Sequence, residues 1–319
     1  MTAKDNTGTK RPLIILTGPT AVGKTALSIG LAKAIQGEII SADSMQVYRG
    51  MDIGTAKITK EQMDGVPHHL IDIMDPSDSF HVMAFQQKCK EAMEDIYARH
   101  KIPILVGGTG FYIQSVLYDI SFTETDTDIE YRQELQKIAE EQGGYVLHAR
   151  LAKIDPEAAD EIHPNNVKRV IRALEFNHQT GEKISIHNEQ ERQRKSPYQF
   201  RYYVLSLPRE ILYDRINRRV DVMRRDGLVD EVKGLLQQGI TPNMVSMQGL
   251  GYKEIIDALQ DTIEQIKKDT RHFAKRQFTW FRRERDVTWI DKETYENEDA
   301  ILQYMIKDLK NAYILPADQ

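Results

Sequence analysis

A chain of 319 residues, 40% hydrophobic and 29% charged, has the balance of a globular protein and not of a disordered or membrane chain; at roughly 100 to 200 residues per domain it holds one large domain or two smaller ones. The net charge of -5 excludes a protein that coats nucleic acid indiscriminately, because such proteins carry a strongly basic field, so any such contact must come from local basic stretches. Cys89 is the single cysteine, which excludes an intrachain disulfide and a cysteine-built zinc site; with a polar start and no apolar run near the roughly 20 residues of a membrane span, a reducing, cytoplasmic setting without membrane attachment is expected.

Met1 to Lys10 reads as a disordered tail. Pro12 to Thr17 is a short apolar run ending in a glycine loop, and Ala26 to Ile35 then has the apolar spacing of a helix. Glu38 to Ser41 predicts a second strand ending at Ala42-Asp43-Ser44, Phe80 to His100 a helix, and Ile102 to Val106 a third strand ending at Gly107-Gly108-Thr109-Gly110. Strands alternating with helices imply an α/β fold, a P-loop parallel sheet flanked by helices, whose ligands gather at the carboxyl ends of the strands. Over residues 121–199 the pattern changes to charged, helix-favouring stretches: Asp128 to Gln142, Pro156 to Ile162 and Asn165 to Gln179. They predict an all-helical insertion between two parts of the core, 11–120 and 200–315. The core resumes with a strand at Tyr202 to Leu207, helical segments over Arg209 to Gln238, a helix from Asp261 to near Arg285, a short strand at Val287 to Ile290 and a last helix at Asp299 to Asn311.

Gly18-Pro19-Thr20-Ala21-Val22-Gly23-Lys24-Thr25 matches G-x-x-x-x-G-K-[ST] between a predicted strand and helix. Its glycines let backbone amides turn toward anionic oxygens, the helix start adds positive potential, Lys24 neutralises charge and Thr25 offers a hydroxyl to Mg²⁺. Phosphate is thereby indicated, without naming the molecule that carries it. Nucleotide-hydrolysing P-loop proteins usually place an acid after a later strand to support the metal, whereas Ile102 to Val106 ends in Gly107-Gly108-Thr109. Asp43, after the second strand, is the available acid. It can serve a nucleophile or a metal's water shell, or cap a turn with Ser44. From these residues alone a transferase, a P-loop kinase of a small metabolite and a nucleotide-gated binding module all remain open.

Taken in series, Gly18 to Thr25, Ser41 to Tyr48, Met51 to Lys57, Val66 to Leu70, Val106 to Gly110, Ile162 to Asn165, Gln248 to Lys253 and Lys275 to Arg282 resemble the signatures of bacterial tRNA dimethylallyltransferases. The resemblance implies that Gly18 to Thr25 hold the diphosphate of dimethylallyl diphosphate with Mg²⁺. It also implies that Asp43 takes a proton from the exocyclic N6 amine of the adenine beside the anticodon, position 37, as that nitrogen attacks the allylic carbon. Arg219 falls where family members place a catalytic arginine, among Arg218, Arg224 and Arg225, which are equally eligible by spacing. tRNA contacts are implied at Asp43, Ser44, Met45, Gln46, Thr109, Arg132, Lys168, Arg169, Arg172, Gln248, Gly249, Gly251, Tyr252, Lys253, Lys275, Arg276 and Arg282. The partner is then a tRNA anticodon stem-loop gripped by the insertion. A monomer is the expectation for assembly.

The residues themselves lend these surfaces some support. Lys168, Arg169 and Arg172 share one face of a helix. Arg271, Lys275, Arg276, Arg282, Arg283 and Arg285 alternate with Phe273, Phe278, Trp280 and Phe281, which suits phosphate contact and base stacking. Phe278 and Phe281 also suit core packing. His68-His69 has no partner at metal-ligand spacing and reads as structural.

Overall fold

Leu13, Ile14, Ile15 and Leu16 are all fully buried, so the run is apolar without alternation because both faces of its strand are covered. In the computed structural model, which describes residues 10–122, 128–257 and 262–316, this run lies in β1 (Pro12–Thr17). The expected disordered tail, apart from Lys10, lies outside the described residues. The other strands are β2 (Glu38–Ala42), β3 (His68–His69), β4 (Pro103–Gly107), β5 (Gln199–Ser206) and β6 (Val287–Asp291). Among the described residues they form one six-stranded sheet in the order β3-β2-β4-β1-β5-β6, parallel at every pairing.

The chain forms two units, Met1–Asp119 with Pro197–Gln319, and Ile120–Ser196. In the first, α1 (Lys24–Ile35), α2 (Val82–Ala98) and α3 (Gly110–Leu117) follow the early strands. The second holds α4 (Ile129–Gln142), α5 (Gly144–Ile154), α6 (Pro156–Glu161), α7 (Val167–Thr180) and α8 (Ile184–Gln193). Its core is built from Leu135, Leu147, Leu151, Val170, Ile171 and Leu174. Asp155 caps α6 through the Ala158 amide at 3.1 Å and also accepts from Ser185. Neither α5 nor α8 is evident from the sequence, because no side chain caps either start and α8 is mostly polar.

The chain returns to the first unit through α9 (Arg209–Arg225), α10 (Leu228–Gln237), α11 (Tyr252–Asp257), α12 (Thr262–Phe281) and α13 (Glu298–Asn311). α12 ends at Phe281 and not near Arg285 as expected. Ile266, Ala274, Gln277 and Phe281 make its buried stripe. Among the described residues no helix is long and apolar enough to cross a membrane.

At the amino end of the sheet, Glu38 is buried and accepts from His69 at 2.8 Å, Arg99 at 2.8 Å and Lys101 at 2.9 Å. Burial opposes ionisation there, but the hydrogen bonds from Arg99, His69 and Lys101 outweigh it and hold the carboxyl near 2. His69 is therefore part of a structural hydrogen-bonded cluster. No group of three His, Cys, Asp or Glu suited to a metal occurs among the described residues.

Candidate active site

Three strands end in step. Gly107 of β4 is opposite both Thr17 of β1 and Ala42 of β2, so the next residues, Gly18, Asp43 and Gly108, leave the sheet side by side. The Thr17 hydroxyl donates to the Gly107 carbonyl at 2.6 Å, and the Thr109 amide to the Ala42 carbonyl at 3.3 Å. Only glycine fits at 107, because a Cβ there would lie 2.1 Å from the Ala42 oxygen. The glycine pair at the end of β4 thus brings the N-terminus of α3 against the Asp43 turn.

Gly18 to Thr25 wrap the start of α1. Gly23 is its N-cap with φ of 95°, and no side chain caps the helix, which leaves the first-turn amides for an anion. Lys24 Nζ donates to the Gly18 and Pro19 carbonyls, each at 2.9 Å. Burial and then the Arg219 charge lower its pKa to about 8, against an opposing pull from Asp43. Thr25 is exposed beside it.

α9 carries Arg219 to this loop, with Nη1 donating to Thr20 Oγ1 at 3.4 Å. Desolvation lowers the pKa of its guanidinium, the signature of a cation drawn into a cleft. Arg218 is 79% exposed and paired with Asp214 at 2.9 Å, and Arg224 and Arg225 are exposed in the last turn. Of the four arginines the sequence could not separate, Arg219 is the one with its guanidinium on the phosphate loop.

Asp43 Oδ1 accepts from the Met45 amide at 2.8 Å and the Gln46 amide at 3.3 Å. The turn-capping role and a chemical role are compatible, because both amides use one oxygen and Oδ2 accepts from no described residue. Asp43 lies close enough to Lys24 and to the Tyr112 phenol to act on both electrostatically.

Gln277, not singled out as a site residue in the sequence, joins the loops. Its Oε1 accepts from the Thr20 amide at 2.9 Å and its Nε2 donates to the Gly108 carbonyl at 3.0 Å. The available signal was a lone amide within the apolar stripe of an amphipathic helix. Just past the end of the same helix, Glu284 accepts from Gln114 of α3 at 2.8 Å, and burial pushes its carboxyl up to about 7.

The remaining candidates separate by exposure. Ser44, Met45, Gln46 and Thr109 are half-buried around the Asp43 turn, whereas Gln248, Lys253, Lys275, Arg276 and Arg282 are exposed. Gly249, Gly251 and Tyr252 are buried; Tyr252 is fully so, which gives it a packing role where an RNA contact was expected. Phe281 is also fully buried, and Phe278 stacks on Trp289 with centroids 6.2 Å apart, so both serve the core.

In the second unit Lys168, Arg169 and Arg172 are exposed on α7, opposite a face that buries Val170, Ile171, Ala173 and Leu174. Arg132 differs: it forms a two-pronged pair with buried Glu175 at 2.5 and 2.7 Å. Arg132, Lys168, Gln136 and Ile171 line a cavity of about 270 Å³ within that unit.

Comparison with known proteins agrees along the chain. The family described as IPP transferase matches residues 46–284, and that described as isopentenyl transferase matches residues 12–79. A tRNA dimethylallyltransferase of Lachnoclostridium phytofermentans is 57% identical over 96% of this chain and 99% of its own length. One from Bacillus cereus is 51% identical over 93% and 95%. Among solved structures, a tRNA isopentenylpyrophosphate transferase of Bacillus halodurans has 46% identity and a TM-score of 0.71, covering 96% of this chain and 99% of that one. A eukaryotic dimethylallyltransferase acting on tRNA has 31% identity and a TM-score of 0.81, covering 97% and 81%.

Proposed function

The chain belongs to the IPP transferase family, and from that membership we propose that it transfers the dimethylallyl group of dimethylallyl diphosphate to the N6 amine of the adenine at position 37 of tRNA, releasing diphosphate. The observation that carries this reading is the alignment of strand ends, which sets the phosphate loop, Asp43 and Thr109 side by side. A kinase of a small metabolite would share the loop and Asp43. The comparisons do not favour it.

In this reading N6 attacks the allylic carbon, the carbon–oxygen bond to diphosphate breaks, and the N6 proton passes to Asp43 Oδ2. Loop amides, Lys24 and Arg219 stabilise the charge that grows on the departing diphosphate. Thr25 supplies one hydroxyl for Mg²⁺, which when bound would further neutralise that charge. A site with few protein ligands suits an ion that prefers phosphate and water oxygens. Thr109, at the start of α3, faces the reacting base, and the exposed basic residues of α7 and α12 hold the displaced RNA backbone. Arg132 contributes mainly by pairing Glu175, with Lys168 as the cation offered at that cavity.

The deciding experiment incubates the protein with unmodified tRNA, labelled dimethylallyl diphosphate and Mg²⁺, beside an ATP hydrolysis assay. Label transferred to tRNA supports the reading; unlabelled tRNA with ATP turnover rejects it.

Two further results are expected. Replacing Arg169 and Arg172 by alanine weakens tRNA binding and lowers the slope of log affinity against log salt by about 1 for each RNA phosphate that is no longer neutralised; an unchanged slope removes this face from the interface. Diphosphate binding also depends on pH through Lys24. With its pKa lowered to about 8, the ammonium is charged below that pH and neutral above it. The dissociation constant is therefore expected to rise by up to tenfold per unit as pH increases above about 8, with proton uptake on binding near pH 8. Titration calorimetry in buffers of different ionisation enthalpy reads both effects, and Lys24→Ala removes them.

A further inference from the structure

Glu231 of α10 accepts four hydrogen bonds. Its Oε2 takes the amides of Asp52 and Ile53, each at 2.8 Å, and its Oε1 takes the Gly54 amide at 3.1 Å and the Tyr252 hydroxyl at 2.5 Å. Three successive amides turned on one carboxylate make an anion-holding nest. Tyr252 closes it: its ring packs so tightly on Gly54 that a Cβ there would lie 2.5 Å from a ring carbon. Beyond the nest, Lys57 Nζ donates to the Tyr48 carbonyl and to Asp52, both at 2.6 Å, and to Asp72 at 2.5 Å, so the segment is pinned at both ends.

What this segment holds is the Asp43 turn. The Thr55 and Ala56 carbonyls accept from Gln46 Nε2 at 3.2 and 3.4 Å, and Gln46 Oε1 accepts from Ser41. The Gln46 and Met45 amides in turn fix Asp43 Oδ1. Met45 also meets the chain near Tyr252, where a Cβ on Gly249 would lie 2.6 Å from its methyl carbon.

We infer that Glu231 is a positioning residue for Asp43, acting through the Met51–Lys57 segment and Gln46 to aim the carboxylate. The inference rests on Asp43 as the proton acceptor. Displacement of a reacting group by about an ångström costs on the order of 100-fold in rate, while the phosphate loop, held by Gln277 and Arg219, is independent of this chain of bonds.

The test measures single-turnover transfer from dimethylallyl diphosphate to tRNA, and diphosphate affinity by calorimetry with Mg²⁺, for Glu231→Ala, Glu231→Gln, Asp43→Ala and the double variant. Glu231→Ala is expected to slow transfer about 10- to 100-fold with diphosphate affinity unchanged. Glu231→Gln recovers part of the rate, because its oxygen still serves one pair of donors while its NH₂ opposes the Gly54 amide. In the Asp43→Ala background, Glu231→Ala is expected to cost nothing further. Wild-type rates in Glu231→Ala overturn the positioning role, as do costs that multiply in the double variant. A matching loss of diphosphate affinity overturns it too, by showing general collapse. Wild-type transfer by Asp43→Ala alone overturns the proton-acceptor reading instead. Tyr252→Phe removes one bond of the four and keeps the ring on Gly54, so a small rate loss at unchanged affinity supports the proposal in a variant whose packing is intact; a loss of diphosphate affinity there counts against it.

Discussion

Asp43→Ala is expected to lower the rate of dimethylallyl transfer by about 100- to 10,000-fold, the range for removing a positioned general base, while the affinity for dimethylallyl diphosphate is largely kept. The reasoning is geometric. Asp43 lies at the end of β2, across from the phosphate loop, with one carboxylate oxygen held by the Met45 and Gln46 amides. Alanine removes the base and leaves those two amides without their acceptor, so some stability is lost as well. Asp43→Asn separates the effects, since its amide oxygen caps the turn but cannot take the proton. Transfer lost to the same extent in both variants, with the melting temperature lowered only in the alanine variant, is the expected pattern. An equal loss of diphosphate affinity in both would assign Asp43 to the metal's shell.

Arg219→Ala is expected to cost about 100- to 1,000-fold in the transfer step, comparable to deleting one preorganised group that stabilises developing charge. Its guanidinium reaches Thr20 of the loop from α9, where a cation gains most as the leaving group becomes more negative. The effect falls on kcat as well as on diphosphate affinity, because charge grows between ground and transition states. Removing this neighbour also lets the Lys24 pKa rise, since Arg219 is one cause of its depression. Arg219→Lys restores charge without the planar fork and recovers only part of the rate. Arg218→Ala is the control: its side chain is solvent-exposed and paired with Asp214, and near-wild-type kinetics are expected. Equal losses at Arg218 and Arg219 would mean that a diffuse basic field, and no single arginine, supports the leaving group.

The loop half of the candidate site was legible because its signals are local. A strand, a glycine-rich turn and a helix start lie within Pro12 to Ile35, and the uncapped amide geometry suited to an anion is set there. The acid after β2 and the glycine pair at the end of β4 stood out for the same reason, as unusual residues at strand ends. Gln277 and Glu231 did not. Each acts on backbone more than 160 residues away in the chain, Gln277 on Thr20 and Gly108, Glu231 on Asp52 to Gly54, and a polar residue on a helix carries no mark of the distant amide it serves. Gly249 to Tyr252, which only the family resemblance placed at the RNA, includes a residue whose packing no local pattern shows: Tyr252 is fully buried, with its ring close against Gly54.

By itself the sequence determined the parallel α/β core, the helical character of the insertion and the phosphate loop, since these depend on periodicity and on turn chemistry within a few residues. Tertiary structure decided which of Arg218, Arg219, Arg224 and Arg225 faces that loop, because helical spacing fixes a face and only packing of α9 fixes what the face meets. It also decided that Asp43, Gly18 and Gly108 stand together, since strand order and register bring three distant chain segments into line, and which strand neighbours which leaves no trace in any one segment.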